Sequence, residues 1–149
     1  MQIEQNTILV PLMVGLITIV LTIGIHTLAL ATVVHLVRHE RRLGRAGSSF
    51  SMNMMIVTAG ILIALGAHFA EVLLWAGIFE AAEFPAFATA LYRSALDYTT
   101  LGDVAMSPRW RLLGPLAATD GMLMFGISTA MIFAVIQGLV QRSFPDLRD

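Results

Sequence analysis

The stretch DYTTLGDVAMSPRWRLLGP, from Asp97 to Pro115, separates two long apolar runs and decides how the chain can fold. It begins with an aspartate, two adjacent threonines, a glycine and a second aspartate, and it ends in two arginines flanking a tryptophan before a glycine and a proline. It cannot span a bilayer, because a spanning helix needs about 20 consecutive apolar residues. The architecture therefore depends on what this polar insert does between its apolar neighbours.

The composition predicts an integral membrane protein. Hydrophobic residues make up 57% of the 149 residues and charged residues only 13%, whereas a soluble domain carries about 25% charged residues. The net charge of -1 gives no indication of a nucleic-acid partner. The chain has no cysteine, which excludes disulfides and thiol chemistry. No nucleophile, acid–base pair or cofactor motif is present, so the sequence predicts neither an enzyme nor a bound cofactor.

Three apolar segments are long enough to cross a membrane, and they predict an all-α, multi-pass membrane protein. They run over residues 7–37, 52–79 and 112–141. The link between the first two contains Arg38, Arg41, Arg42 and Arg45. Arginine clusters stay on the cytoplasmic side, so the N-terminus is expected outside and the C-terminus in the cytoplasm. The small size and the absence of a targeting sequence favour a bacterial inner membrane.

The segment before the polar insert predicts a short helix that does not span. It follows Pro85, a residue suited to the first turn of a helix, and has alanine, leucine and aromatic residues at helical spacing over residues 86–98. A short helix and a polar loop between two spanning helices indicate a re-entrant segment. Irregular backbone at membrane depth is tolerated only where it is buried in protein or lines a water-filled cavity.

The run Thr99-Thr100-Leu101-Gly102-Asp103 resembles the pore loop of the potassium-channel superfamily, whose filter carries a TVGYG-type motif. The stretches SPRWRLLGPL and FGISTA also fit the start and the middle of that family's inner helix. The resemblance implies a homotetramer in the membrane lipid. It also implies a pore domain over residues 52–149, preceded by an extra helix and link over residues 1–51. The implied parts of the pore domain are an outer helix 52–79, a pore helix 86–98, a filter 99–103 and an inner helix 112–141.

The filter departs from the potassium-selective pattern because the Tyr-Gly pair is missing. It is similar to the non-selective sodium/potassium branch, whose filter reads Thr-Val-Gly-Asp-Gly; Val104 stands where that filter has its final glycine. This resemblance implies that inner carbonyl rings remain while the outer rings are lost. Permeation of Na⁺ and K⁺ with weak discrimination is the expected result. The expected cation ligands are Thr100, Leu101, Gly102 and Asp103.

Asp103 and Val104 leave open which ions pass the filter and whether it conducts at all. Four copies of Asp103 would form a carboxylate ring that favours cations, and Ca²⁺ or Mg²⁺, which prefer oxygen ligands, would either block the pore or pass through it. Asp103 would alternatively cap the loop by accepting backbone amide hydrogen bonds. A β-branched residue at φ > 0 is strained, so Val104 keeps open a non-conducting subunit with a pore-like fold.

An ionisable residue inside an apolar segment is by default a candidate functional residue. His68 and Glu71 lie three residues apart and share one face of the second helix. Arg93 is a candidate partner for Glu71, although it can also pair locally with Asp97, four residues on. Glu71, Arg93 and Asp97 are therefore predicted either to support the filter or to form a purely structural cluster. Asp120 is expected to face the short helix or to contact Asp97 and Arg93.

The last apolar segment contains the candidate gating and cavity residues. Gly126 matches the inner-helix glycine of the family, where bending would open a gate, and it equally suits close helix packing. Ser128 and Thr129 are expected to line a cavity, and Phe133 to form part of a hydrophobic constriction. His26, in the first segment, is expected to be a hydrogen-bonded packing residue and not a metal ligand.

Overall fold

The computed structural model describes residues 2–102 and 106–143, and side chains from 8 to 141 within those ranges. The described residues form four α-helices and no strand: α1 (Gln2–Arg42), α2 (Phe50–Ala82), α3 (Phe87–Tyr98) and α4 (Leu113–Ser143). The predicted Asp103 and Val104 lie outside the described residues.

Three of these helices are long and apolar enough to cross a membrane. The candidate spans are Ile8–Arg42, Phe50–Ala82 and Leu113–Gln141, of 35, 33 and 29 residues. At 1.5 Å per residue, even the shortest is about 43 Å long, which exceeds the roughly 30 Å hydrocarbon thickness of a bilayer. The prediction of an all-helical protein with three long apolar helices is confirmed.

The first helix continues beyond the predicted end near Val37 and includes three of the four arginines of the link. Arginine is a good helix former, and cationic side chains near a helix C-terminus interact favourably with its dipole. The chain then turns at Gly44 and Gly47, whose φ angles of +70° and +86° suit glycine because it has no Cβ. The side chain of Asn53 accepts a hydrogen bond of 2.9 Å from the Gly47 amide, which joins this turn to the first turn of α2.

Helix α3 is short and amphipathic, but its buried face is polar. Ala86, which has an extended backbone, precedes the helix. The buried residues recur at helical spacing of three, four, seven and eight positions. They are Ala90, Arg93, Ser94, Asp97 and Tyr98. Hydrophobic burial alone therefore does not explain how this helix is held.

The chain divides into two compact units. Unit 1 comprises Met1–Ile25 and His68–Phe125, and unit 2 comprises His26–Ala67 and Gly126–Asp149. The interior of unit 1 holds large side chains that are almost completely buried: Trp75, Phe79, Tyr98, Leu113 and Met124. Unit 2 has an apolar core formed by Val33, Val37, Ala46, Ile56 and Leu139.

Candidate functional site

The turn that follows α3 closes the helix in a Schellman arrangement. The Leu101 amide donates to the Leu96 carbonyl at 2.8 Å, and the Thr100 amide donates to the Asp97 carbonyl at 2.9 Å. These two bonds define the motif, in which the residue after the C-cap adopts a left-handed conformation and is usually glycine. Thr100 occupies that position with φ of +65°. A β-branched residue in this region is strained, which marks the turn as a candidate functional element.

The predicted filter residues within the described part of the chain lie together on this turn and are exposed. Thr99, Thr100, Leu101 and Gly102 are all exposed, and Leu101 is 70% exposed despite its apolar side chain. The Thr99 hydroxyl donates to the Ala95 carbonyl at 2.7 Å. Within residues 2–102 and 106–143, no backbone amide donates to the carbonyls of Thr99, Thr100 and Leu101.

A buried ion pair lies directly behind the turn. Arg93 Nε donates to Asp97 Oδ2 at 2.7 Å, and the two side chains are only 9% and 4% exposed. Burial raises the pKa of the Asp97 carboxyl above its usual value, although the hydrogen bond and charge of Arg93 lower it in part. Because Asp97 also accepts the Thr100 amide at its carbonyl, the pair connects α3 to the start of the exposed turn.

Two glycines make room for the Asp97 carboxylate. A Cβ on Gly102 would overlap Asp97 Oδ1, and a Cβ on Gly114, in the first turn of α4, would lie 3.2 Å from Asp97 Oδ2. Beside them, a small cavity of about 170 Å³ is lined by Arg93 and Thr100 among others. The carboxylate is therefore packed between the exposed turn and α4, with space on one side for a small polar species.

A second buried cluster holds the last residue of α3. The Tyr98 hydroxyl donates to Glu71 Oε2, and His68 Nδ1 lies 3.1 Å from the Tyr98 hydroxyl and 3.3 Å from Glu71 Oε2. Phe125 stacks on the His68 ring at 4.4 Å between centroids. Burial, and then the hydrogen bond to Glu71, raise the pKa of Tyr98, so its hydroxyl stays protonated as a donor.

Further contacts attach α3 to the neighbouring helices of unit 1. Ser94 Oγ donates to the Val72 carbonyl of α2 at 2.7 Å. On α4, Gly121 approaches the Tyr98 carbonyl so closely that a Cβ there would overlap the oxygen. The last two turns of α3 are therefore fixed on two sides, and the exposed turn extends from a rigid base.

Asp120 connects three helices within unit 1. It accepts a 2.9 Å hydrogen bond from Thr22 Oγ1 of α1 and a 2.8 Å hydrogen bond from Trp75 Nε1 of α2. Asp120 is 1% exposed and Thr22 is fully buried. The first helix, which the family resemblance left outside the pore domain, thus takes part in the same polar interior.

The residues predicted to support the filter are all buried, but they do not form one cluster. Arg93 pairs locally with Asp97, which was one of the two alternatives, while Glu71 bonds to Tyr98 and His68. Sequence reasoning missed the roles of Tyr98, Trp75 and Thr22. A usable signal was present: tyrosine and tryptophan normally find a hydrogen-bond partner when buried. Trp75 also lies one turn from Glu71.

The predicted gating and cavity residues belong to unit 2 and differ in exposure. Ser128 is buried, and its hydroxyl lies 3.0 Å from Nε2 of the buried His26. Gly126 and Thr129 are exposed, and Phe133 is 65% exposed. No heavy atom lies within 4 Å of a Cβ built on Gly126, so this glycine makes no close helix contact within the described chain.

The chemistry available at the turn is that of neutral oxygen ligands. Three consecutive carbonyls and the Thr100 hydroxyl are the kind of ligand that replaces the hydration shell of a monovalent cation, and Ca²⁺ and Mg²⁺ also prefer oxygen. These four oxygens are fewer than the roughly 6–8 that Ca²⁺ takes from protein and water together.

The sequence matches no family model, and neither a curated protein nor a solved structure matches the chain.

Proposed function

We propose that the chain forms a homotetrameric membrane channel that conducts Na⁺ and K⁺ with weak discrimination. The observation that carries the proposal is the exposed turn of Thr99–Gly102, whose carbonyls accept no amide hydrogen bond from the described residues. Four copies around one axis would stack these oxygens in rings, which is how potassium filters replace the hydration shell. The resemblance of TTLGD to a shortened filter supports the same assignment.

In this proposal α3 is the re-entrant pore helix. The C-terminal end of a helix carries partial negative charge, so four such ends directed at a central axis would favour a cation there. The three long helices support assembly in lipid, because they expose large apolar side chains that need a cover of lipid or of other copies. Phe69 is 62% exposed and Leu62 is 60% exposed.

The buried clusters behind the turn are proposed to fix its geometry. A site that selects an ion needs its ligands held by packed and hydrogen-bonded neighbours. Arg93 and Asp97 hold the start of the turn, and Glu71 and His68 hold Tyr98. These contacts support a role in permeation for residues that never touch the ion.

Weak selectivity follows from the shortened filter. Fewer dehydrated sites in a row leave more water on the ion and discriminate less between Na⁺ and K⁺. Asp103 would add a carboxylate ring near the mouth that also attracts Ca²⁺ or Mg²⁺. Further along the path, Gly126, Thr129 and Phe133 are the proposed gating and cavity residues.

The test is a bi-ionic measurement on the purified chain in lipid vesicles, with Na⁺ on one side and K⁺ on the other. The wild-type chain is expected to reverse near zero potential. Thr100→Gly keeps the left-handed conformation but removes the hydroxyl, and it is expected to shift the reversal potential. The matched control is Thr119→Ala, because Thr119 is an exposed threonine of α4 whose hydroxyl bonds to its own helix at the Pro115 carbonyl.

Three outcomes would contradict the proposal. A wild-type reversal potential at the potassium equilibrium value would contradict weak selectivity. An intact tetramer without current in Na⁺, K⁺ or Ca²⁺ would indicate a non-conducting subunit. A chain that remains a monomer in lipid would rule out the ring of carbonyls altogether.

Inhibition by Ca²⁺ that disappears in Asp103→Asn would support the carboxylate ring.

A further inference from the structure

Unit 2 contains an open groove between the second half of α1 and the second half of α4. Its volume is about 560 Å³, within the range of about 300–1,000 Å³ that is common for small-molecule sites. Leu30 and Val34 line it from α1, and Ile127, Met131 and Val135 line it from α4. The walls are therefore aliphatic along most of their length.

Two arginines line the same groove beyond its aliphatic part. Arg38 and Arg41 follow Val34 and Val37 along α1. Within residues 2–102 and 106–143, no carboxylate forms an ion pair with either arginine, whereas Arg45 lies 3.7 Å from Glu40. The groove thus combines a long apolar wall with two cationic groups at one end.

The position of Arg41 depends on a glycine of α4. A Cβ built on Gly138 would lie 2.7 Å from Arg41 Nη2, which is too close for an unmoved guanidinium. The missing side chain at Gly138 therefore lets the arginine lie against α4 at the end of the groove. This contact gives a way to displace the cationic group without removing it.

The dimensions match one leaflet of a bilayer. From Leu30 to Arg41 the helix rises about 16 Å at 1.5 Å per residue, and half of a roughly 30 Å hydrocarbon core is about 15 Å. An acyl chain that lies along the aliphatic wall would therefore bring its phosphate to the level of Arg38 and Arg41. Arginine binds phosphate well because its planar fork donates two parallel hydrogen bonds.

We propose that this groove binds one anionic phospholipid, with an acyl chain along the aliphatic wall and the phosphate on Arg38 and Arg41. The charge of the groove selects this occupant, because an apolar segment of a second copy would leave two guanidinium groups without a counter-charge at the membrane surface. The site uses no residue of the turn after α3. It stands whether or not the chain conducts ions.

The test compares binding of phosphatidylglycerol and phosphatidylcholine with identical acyl chains to the full chain in neutral detergent, by native mass spectrometry. Phosphatidylglycerol is expected to bind more tightly. Arg38→Gln and Arg41→Gln are each expected to lower that preference roughly five-fold, because a basic residue near an anionic surface contributes about 1 kcal/mol. The matched control is Arg45→Gln, since Arg45 already pairs with Glu40 and does not line the groove.

Two further variants separate the parts of the site. Gly138→Ala is expected to lower the preference for phosphatidylglycerol while every arginine remains. Ala134→Phe, at an exposed position that lines the groove, is expected to weaken binding of both lipids. Circular dichroism of each variant checks that its helix content is unchanged.

The proposal is overturned if Arg38→Gln and Arg41→Gln keep the wild-type preference, or if Arg45→Gln reduces it as much as they do. It is also overturned if Ala134→Phe changes the oligomeric mass and leaves lipid binding intact. That result would mean that another copy of the chain occupies the groove.

Discussion

The two units differ in how many charged side chains they bury. Among the described residues, unit 1 encloses four carboxylate or guanidinium side chains at or below 7% exposure, which are Glu71, Arg93, Asp97 and Asp120. Unit 2 has a core of aliphatic side chains and buries Glu40, while its arginines 38, 41, 42 and 45 are exposed. Burying charge lowers stability unless partners and hydrogen bonds offset the desolvation. The Arg93–Asp97 pair meets this requirement next to the exposed turn of unit 1, whereas the core of unit 2 is stabilised mainly by apolar burial.

The two interiors should respond differently to the loss of one side chain. An apolar side chain contributes about 1.5–3 kcal/mol through its burial, and its neighbours partly relax around the gap. Removing one partner of a buried ion pair also leaves the other charge uncompensated. Substitutions in unit 1 that break a pair are therefore expected to have the largest effects.

The largest effect is expected for the Arg93–Asp97 pair. Arg93→Leu and Asp97→Leu should each lower the free energy of unfolding by about 3–5 kcal/mol, because each removes one partner of a buried ion pair. The double variant should recover most of this loss, because no buried charge remains at the site. Thermal unfolding in detergent micelles measures all three variants.

The comparison for that cycle is Arg45→Leu, which breaks a pair whose arginine side chain is 54% exposed and whose Glu40 side chain is 11% exposed. Because one partner of this pair is exposed to solvent, we expect a smaller loss than for Arg93→Leu, whose pair is buried on both sides. A double variant whose loss equals the sum of the single losses would show that the two residues do not act as a pair.

A smaller difference in the free energy of unfolding is expected between substitutions of two threonines of α1, one in each unit. Thr22 is fully buried, and its hydroxyl lies 2.9 Å from Asp120 Oδ1 and 2.7 Å from the Ile19 carbonyl of its own helix, whereas the exposed Thr32 donates only to its own helix at the Leu28 carbonyl. Thr22→Val keeps the shape but removes a hydrogen bond to a carboxylate, which is worth about 1.5–3 kcal/mol. Thr32→Val should change the free energy of unfolding by less than about 0.5 kcal/mol. Equal losses at both positions, measured by thermal unfolding, would mean that the Asp120 contact adds no stability.

The sequence predicted the helices because their signal is local. A run of apolar residues about 20 long identifies a possible membrane helix without knowledge of its neighbours. The Arg93–Asp97 pair could also be predicted from the sequence, because residues four apart on a helix are neighbours on its surface. The end of α1 was predicted too early because its arginines were assigned to a link, although arginine is compatible with a helix.

The partners of Glu71 and Asp120 were not predictable in the same way. Tyr98 is 27 residues from Glu71, and Thr22 is 98 residues from Asp120. Such pairs depend on how helices pack, which hydrophobic periodicity does not specify in segments that are apolar all round. The close approach of Gly121 to the Tyr98 carbonyl was unpredictable for the same reason. The sequence of an apolar helix does not specify which residue its glycine contacts.

The smallest expected effect concerns the turn itself, where Thr100 and Thr99 should respond with opposite signs. Thr100→Gly should raise the free energy of unfolding by about 1 kcal/mol, because glycine adopts φ of +65° without the steric cost that threonine bears. Thr99→Gly should lower it by about 0.5–1 kcal/mol, because φ there is -90° and glycine adds only chain entropy. It also removes the hydrogen bond to the Ala95 carbonyl. Unfolding of both variants under identical detergent conditions measures the difference. A stabilised Thr100→Gly chain whose ion selectivity has changed would show that the strain at Thr100 is retained for permeation, whereas a destabilised one would place Thr100 outside the left-handed conformation.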